Sequence, residues 1–271
     1  MTDYYLGYDI GGTNSRALVA DGEGHVIGMG RAGAGSYEVV GWEGLHQALQ
    51  SVTKAALTSA SVKTAQIAGV GFGIAGYDWP SERPPHLEAI RALQLDAPFV
   101  LVNDAMLGLV AGAKSGWGLA IVAGTGANCW GRDHEGRLGH TTGGAAVLGE
   151  YGGADTLVPE AVRAISRAFT HRGPATSLTD AFVHYAGADG VEDLLEGVCV
   201  DRYDVRTDAA PLIFEAADAG DEVALDLIRW AGRELGSLAI GVARQLSLEE
   251  TAFEVVQIGS LFDVSPLLGE T

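Results

Sequence analysis

The sequence predicts an α/β protein of two domains. Apolar runs bounded by glycines, typical of buried strands, alternate with segments of helical periodicity. A glycine-rich turn occurs twice, at residues 9–15 and 123–129, which suggests that one structural unit is duplicated. The length of 271 residues also exceeds that of a usual single domain.

The first glycine turn, Asp9-Ile-Gly-Gly-Thr-Asn-Ser15, lies between predicted strands at 4–10 and 15–21. Because Gly11 and Gly12 lack a Cβ, the backbone can adopt positive φ there and lie close to an anion. Consecutive N–H groups in such a turn form a concave, partly positive nest that suits a phosphate. An ordinary glycine hairpin is the alternative.

Polar side chains surround this turn. Thr13 and Asn14 add short donors at its rim, and Asp9 ends the first strand. A bare phosphate would repel Asp9, but a Mg²⁺ ion between them would bind both, since it prefers oxygen ligands. In the alternative interpretation, Asp9 is simply solvated.

The second copy, Ala-Gly-Thr-Gly-Ala-Asn-Cys at 123–129, repeats the spacing of the first. Thr13 precedes Gly24 by eleven residues, and Thr125 precedes Gly136 by eleven (24 − 13 and 136 − 125). Each copy therefore reads as strand, phosphate turn, strand, Asp/Gly hairpin and strand.

The remaining elements follow from periodicity and breakers. In chain order we expect a strand at 25–31, a loop at 32–41, a helix at 42–60, a strand at 67–74, a helix at 85–93, a strand at 99–102, a helix at 105–114, a second meander at 118–140, a helix at 155–171, helices within 176–246 and a strand at 253–259.

Asp104 is the candidate catalytic residue. It directly follows the strand at 99–102 and precedes the helix at 105–114. Ligands of open α/β sheets bind at the carboxyl ends of strands, where an aspartate can accept the proton of an attacking hydroxyl. From local sequence alone, a helix N-cap is an equally good interpretation.

Composition excludes several classes of function. The net charge of −18, from 17 basic and 35 acidic residues, repels nucleic acid and anionic lipid. No apolar run approaches ~20 residues, so we expect neither membrane span nor signal peptide. The two cysteines, Cys129 and Cys199, lack metal-ligand spacing and fit a reducing cytoplasm.

The motifs taken in order resemble a known superfamily. The turns at 9–15 and 123–129 and the segment Val256-Gln-Ile-Gly-Ser260 are similar to the two phosphate motifs and the adenosine motif of the sugar kinase/Hsp70/actin superfamily. Within it, the chain resembles the BadF/BcrA-type ATPases, whose best-understood branch is N-acetylglucosamine kinase. The resemblance implies two duplicated RNase H-like (actin-like ATPase) domains with a nucleotide cleft between them.

The domains implied are 1–116 and 117–271, the second with a helical insertion and without the last strand and helix of the family. The resemblance also implies ATP and Mg²⁺, with Asp104 as the base and Asp9 positioning the metal. The residues expected at the nucleotide are Gly11, Gly12, Thr13, Asn14, Gly124, Thr125, Gly126, Gly259 and Ser260. From the residues alone, Gly259 could equally mark a plain strand-to-helix turn.

The sugar-binding positions depart from the family pattern. The resemblance places Ser36, Gly76, Asn128 and Glu150 at the sugar, and of these Gly76 and Asn128 match. Ser36 stands where an asparagine is usual. In the segment 143–153 the usual tryptophan is missing, and Glu150 stands where an aspartate is expected.

We therefore expect an ATP-dependent kinase that phosphorylates a hydroxyl of a hexose or amino sugar, with N-acetylglucosamine or glucosamine as the favoured substrate. We expect it to be cytoplasmic and homodimeric. One alternative is an ATPase coupled to a partner enzyme, as in the BadF/BcrA activators; two lone cysteines could form an iron–sulfur cluster only across a dimer. The other is a nucleotide- or sugar-binding regulator without catalysis. We expect Cys129 to be a buried small hydrophobe and His140 to be a polar rim residue.

Overall fold

The computed structural model describes residues 3–270 and divides the chain into two compact units, 1–112 and 113–271. The sequence predicted this boundary at 116/117. Each unit contains its own sheet and its own hydrophobic core. No helix within the described residues is both long and apolar enough to cross a membrane.

Unit 1 is a five-stranded sheet with helices, in the strand order β3-β2-β1-β4-β5. Strands β1, β2 and β3 form an antiparallel meander, whereas β4 and β5 run parallel to β1. Its elements are β1 (Tyr4–Ile10), β2 (Ser15–Ala20), β3 (Val26–Ala32), α1 (Tyr37–Ala60), β4 (Ile67–Ile74), α2 (Arg83–Arg91), β5 (Phe99–Val102) and α3 (Ala105–Gly112).

Unit 2 repeats this arrangement in a four-stranded sheet of order β8-β7-β6-β9, with β9 parallel to β6. Its elements are β6 (Gly118–Ala123), β7 (Ala127–Arg132), β8 (Leu138–His140), α4 (Ala154–Phe169), α5 (Leu178–Ala186), α6 (Val191–Cys199), α7 (Ala210–Asp218), α8 (Glu222–Gln245), β9 (Glu254–Ile258), α9 (Ser260–Val264) and α10 (Pro266–Glu270).

The duplication inferred from spacing extends to individual hydrogen bonds. After the second strand of each meander, Oδ1 of Asp21 or of Asp133 accepts hydrogen bonds from the backbone N–H groups two and four residues later, at 2.8 to 3.0 Å. Such Asx turns fix a tight hairpin. The same side chain therefore closes the same turn in both units.

The predicted strands at 4–10, 67–74 and 99–102 coincide with β1, β4 and β5. The loop predicted at 32–41 is wrong in its second half, because α1 begins at Tyr37. Gly41 adopts φ 69° and kinks the helix after one turn. The turn before the kink is too short to show helical periodicity in the sequence, so it was predicted as loop. Helix α3 also ends two residues before the expected 114.

Candidate active site

The carboxyl ends of three strands meet at one edge of the unit 1 sheet. In the parallel register Ile10 lies opposite Ile74, and Gly73 lies opposite Val102. The first glycine turn, the segment after β4 and the pair Asn103–Asp104 therefore all leave the sheet at this edge. It is the edge at which open α/β sheets bind ligands.

The first glycine turn is tight and open to solvent. The Gly11 N–H donates to the Asn14 carbonyl at 2.9 Å, whereas the N–H groups of Gly12, Thr13 and Asn14 find no acceptor within residues 3–270. Free N–H groups in a row suit phosphate oxygens. The turn does not use positive φ, because neither Gly11 nor Gly12 has φ in the left-handed region. At Gly11, close packing is the constraint instead, because a Cβ would lie 3.1 Å from the Asn14 carbonyl oxygen.

Ser36 lies directly beside this turn. The N–H groups of Gly35 and Ser36 both donate to the Gly11 carbonyl, at 3.0 and 3.2 Å. The buried Ser36 hydroxyl accepts a hydrogen bond from the Glu38 N–H at 3.4 Å and so caps α1. The Ser36 side chain is thus used within the unit, as well as lying next to the candidate phosphate turn.

Asp104 has the electrostatics of a general base. Burial raises the pKa of its carboxyl to about 7, and the nearby charges of Asp9 and, less strongly, Asp78 add to the increase. A base with a pKa near the working pH is the most effective in proton transfer.

Asn103 binds the first N–H group of α3, and the Asp104 carboxyl also interacts with that N–H. Asn103 Oδ1 accepts from the Ala105 N–H at 2.9 Å, and its Nδ2 donates to Asp78 Oδ1 at 3.1 Å. Asn103 itself is buried. Through these two bonds Asn103 fixes the start of α3, and so the backbone that carries Asp104.

Asp9 is half-buried, and its closest cation is the Arg16 guanidinium at 4.0 Å. Burial raises the pKa of the Asp9 carboxyl, and the charge of Arg16 partly opposes this increase. Residues 3–270 contain no group of three or more His, Cys, Asp or Glu side chains that could hold a metal by themselves. One carboxylate beside a phosphate turn is instead the donor set that Mg²⁺ uses with nucleotides.

The sequence argument missed a group of acidic residues next to Gly76. Gly76 adopts φ 78°, and a Cβ there would lie 3.0 Å from the Glu38 carboxyl carbon. Glu82 accepts hydrogen bonds from the Tyr37 hydroxyl at 2.6 Å and from the Asp78 N–H at 2.8 Å. No local pattern marks Glu38, because its contact with Gly76 exists only once β4 has paired with β1.

The second glycine turn is attached to the start of α4. The Gly124 N–H donates to the Gly126 carbonyl at 3.0 Å. The first two N–H groups of α4, those of Ala154 and Asp155, donate to the carbonyls of Gly124 at 2.9 Å and Thr125 at 2.8 Å. The helix N-terminus therefore holds the turn in place, and these two N–H groups are not available to a ligand.

The candidate adenosine residues lie beside this second turn. Strand β9 pairs with β6, and Gly259 follows it with φ 109°. A Cβ at Gly259 would lie 2.3 Å from the Ala123 carbonyl oxygen, so only glycine fits. Ser260 begins α9. Gly259 and the turn at 124–126 are thus neighbours within unit 2.

Glu150 and Asn128, the two sugar-binding candidates of unit 2, are both held by threonines. Glu150 is 5% exposed and accepts hydrogen bonds from the Thr142 N–H and, at 2.8 Å, from the Thr142 hydroxyl. Its Oε2 is buried without a partner within the described chain. Asn128 Oδ1 accepts from the Thr141 hydroxyl at 2.5 Å. One oxygen of Glu150 is therefore committed to a loop contact.

Asp155 is a second residue that sequence reasoning missed. Its Oδ1 is buried with no hydrogen-bond partner in the described part of the chain, and burial raises the pKa of its carboxyl. A Cβ on Gly126 would lie 3.8 Å from Asp155 Oδ2. A cavity of about 700 Å³ opens beside Asp155, with Tyr151 and Trp230 in its wall. A ligand thus has room beside Asp155.

Cys129 and His140 are structural. Cys129 is fully buried, as expected of a small hydrophobe, and burial raises the pKa of its thiol to about 12. The His140 ring stacks on Trp130 at 4.3 Å, and its backbone N–H bonds to Gln245. Burial keeps the Cys129 thiol from serving as a catalytic group or a cluster ligand.

Comparison with known proteins identifies the family. The family model described as the BadF/BadG/BcrA/BcrD ATPase family matches residues 6–271. The chain belongs to this ATPase family. Membership confirms the resemblance inferred from the motifs and indicates ATP as the nucleotide.

Two curated relatives are similar over nearly the whole chain. The N-acetyl-D-glucosamine kinase of Dictyostelium discoideum is 25% identical over 99% of this chain and 88% of its own length. The N-acetylmuramic acid/N-acetylglucosamine kinase of Clostridium acetobutylicum is 23% identical over 96% of this chain and 86% of its own.

Solved structures confirm the fold of this ATPase family member. A Chromobacterium violaceum protein, provisionally named an N-acetylglucosamine kinase, superposes with a TM-score of 0.74 at 23% identity, over 97% of this chain and 89% of that one. A ROK family glucokinase from Streptomyces griseus, in complex with glucose and AMPPNP, gives 0.58 at 21% identity, over 98% and 86%. The chain has the actin-like ATPase fold of the sugar kinases.

Proposed function

We propose that this protein is an ATP-dependent sugar kinase, which transfers the γ-phosphoryl group of ATP to a hydroxyl of a hexose or amino sugar. N-acetylglucosamine and glucosamine are the first candidates, because both curated relatives are named as N-acetylglucosamine kinases. The observation that carries the proposal is Asp104, a partly exposed side chain whose carboxyl has its pKa raised by desolvation to about 7, at the same sheet edge as a phosphate-type glycine turn.

Asp104 acts as the general base. Its ionised carboxylate accepts the proton of the attacking sugar hydroxyl while the hydroxyl oxygen forms a bond to the γ-phosphorus. The bond from that phosphorus to the β,γ-bridging oxygen breaks, and ADP leaves. A protonated Asp104 cannot accept this proton, so the rate rises with pH through the pKa of about 7.

The two glycine turns hold the phosphates. In unit 1 the free N–H groups of Gly12, Thr13 and Asn14 donate to phosphate oxygens, and in unit 2 the turn at 124–126 has the same role. Gly259 and Ser260 lie next to the turn at 124–126 and take the adenosine. Preorganised backbone donors of this kind need no rearrangement when charge develops.

Asp9 would hold Mg²⁺ together with the phosphates. Its half-buried carboxylate, with a single guanidinium 4.0 Å away, fits a cation that keeps several waters and takes few protein ligands. When bound, the ion neutralises charge on the phosphate oxygens.

Ser36 and Gly76 in unit 1 and Asn128 and Glu150 in unit 2 are the proposed sugar contacts. Ser36 supports this role because the Gly11 carbonyl fixes its backbone beside the first glycine turn. We further propose a homodimer in a reducing cytoplasm; the two unpaired cysteines support the reducing compartment only.

The test is ADP release with Mg²⁺-ATP in the presence of N-acetylglucosamine, glucosamine, glucose, mannosamine or no sugar. A sugar-dependent rate that Asp104→Asn abolishes supports the kinase. The exposed Asp96→Asn variant is the matched control and should keep the rate. ADP release that does not depend on sugar would contradict the proposal and indicate a coupled ATPase.

A further inference from the structure

We infer that Glu38 is the specificity residue of the acceptor site and that it recognises the ammonium group of an amino sugar with a free amine. The inference rests on the proposed function, because it uses the acceptor site defined there by Ser36, Gly76 and Asp104. It starts from the position and the hydrogen bonds of Glu38.

Glu38 lies between the two proposed sugar contacts of unit 1. Its Oε2 is 3.5 Å from the Ser36 hydroxyl. Its carboxyl group packs against the Cα of Gly76, where a Cβ would be 3.0 Å away from both the carboxyl carbon and Oε2.

Of the three carboxylates Glu38, Asp78 and Glu82, Glu38 has the fewest interaction partners. Glu82 accepts hydrogen bonds from the Tyr37 hydroxyl and two backbone N–H groups, and Asp78 accepts one from Asn103. Within residues 3–270, Glu38 receives only the long contact from Ser36 and forms no ion pair. A solvent-accessible carboxylate with unused acceptor positions is available to a substrate.

The surrounding charge favours a cation over a neutral group. Desolvation of the carboxyl and, less strongly, the negative charge of Glu82 raise the pKa of Glu38, and the hydrogen bond from Ser36 opposes this only in part. Within the described chain, the one cation paired to an acid at this edge of the sheet is Arg16, at Asp9. An ammonium group next to Glu38 would supply the missing positive charge and a charge-assisted hydrogen bond.

An acetylated amine cannot do this. The amide of an N-acetyl sugar is uncharged and offers one N–H, so it gains an ordinary hydrogen bond where an ammonium gains a charge-assisted one. The hydroxyls of neutral hexoses are also uncharged and likewise gain only an ordinary hydrogen bond. The geometry therefore favours glucosamine-type acceptors over their N-acetyl and neutral counterparts.

The experiment measures kcat/KM for glucosamine and for N-acetylglucosamine in the wild type, in Glu38→Gln and in the control Glu43→Gln. Glu43 is also exposed on α1 and hydrogen-bonds to Gln47. Loss of one charge-assisted hydrogen bond predicts that the glucosamine to N-acetylglucosamine ratio falls about tenfold in Glu38→Gln. The ratio should stay unchanged in Glu43→Gln.

Calorimetric titration of glucosamine into the ATP-free protein provides a second readout that needs no turnover. If Glu38→Gln weakens glucosamine binding about tenfold, the result supports the ammonium site. This holds even if no sugar is phosphorylated, because the absence of phosphorylation would refute only the kinase. A ratio that is equal in wild type and Glu38→Gln, or glucosamine binding that does not depend on Glu38, would overturn the ammonium site while leaving the kinase intact.

Discussion

Replacing Asp104 by Asn should stabilise the protein while it removes activity. In the folded protein the pKa of Asp104 rises from 3.8 to about 7, mainly because the carboxyl is buried. An ionised Asp104 therefore lowers the stability of the folded state, and a neutral amide of the same shape does not. Above pH 7 the difference of about three pKa units corresponds to about 4 kcal/mol.

The sign and the pH range follow from linkage. At pH 4 the folded carboxyl is protonated and that of the unfolded chain is only about half ionised, so the variant gains less than about 1 kcal/mol there. The gain should grow as the pH rises from 4 to 7 and then level off, because the folded carboxyl is ionised above its pKa of about 7.

Thermal unfolding of wild type and Asp104→Asn at pH 4, 6 and 8 measures this gain. At pH 8 the Tm of the variant should exceed that of wild type by at least about 5 °C. Asp96→Asn, which changes an exposed carboxyl in the same unit, should show no comparable increase. A Tm difference that is the same at all three pH values would refute the electrostatic reasoning.

Two further predictions concern packing in unit 2. Gly259→Ala should lower the Tm and weaken ATP binding, because the new Cβ would lie 2.3 Å from the Ala123 carbonyl oxygen. The control Gly236→Ala should leave both the Tm and ATP binding unchanged, because no atom lies within 4 Å of a Cβ there. Cys199 is exposed and should react with a thiol reagent in the folded protein. Cys129 should react only on unfolding, because it is buried and its pKa is about 12. Equal rates for the two thiols would contradict the burial of Cys129.

Local signals were sufficient for the strands and turns of the meanders. Glycine-bounded apolar runs and a repeated spacing predicted β1, β2 and the turn at 11–14 because these contacts join residues close in sequence. The order of the three motifs then indicated the superfamily, which the family comparison confirmed.

Contacts between residues that are distant in sequence could not be predicted from local sequence patterns. The approach of Glu38 to Gly76 depends on the kink at Gly41 and on the pairing of β1 with β4, neither of which a periodicity argument contains. The pKa of Asp104 likewise depends on its burial in the folded unit, so the sequence left base and N-cap equally possible. Asp155 was missed because a buried, unpartnered oxygen has no sequence pattern.

Mass spectrometry of the sugar after incubation with Mg²⁺-ATP tests the central claim most directly. The account predicts a phosphorylated sugar with wild type and Asp96→Asn, and a loss of at least about 100-fold in its rate of formation with Asp104→Asn, as expected for removal of a general base. Inorganic phosphate in place of a sugar phosphate, or a sugar phosphate formed equally fast by Asp104→Asn, would contradict it.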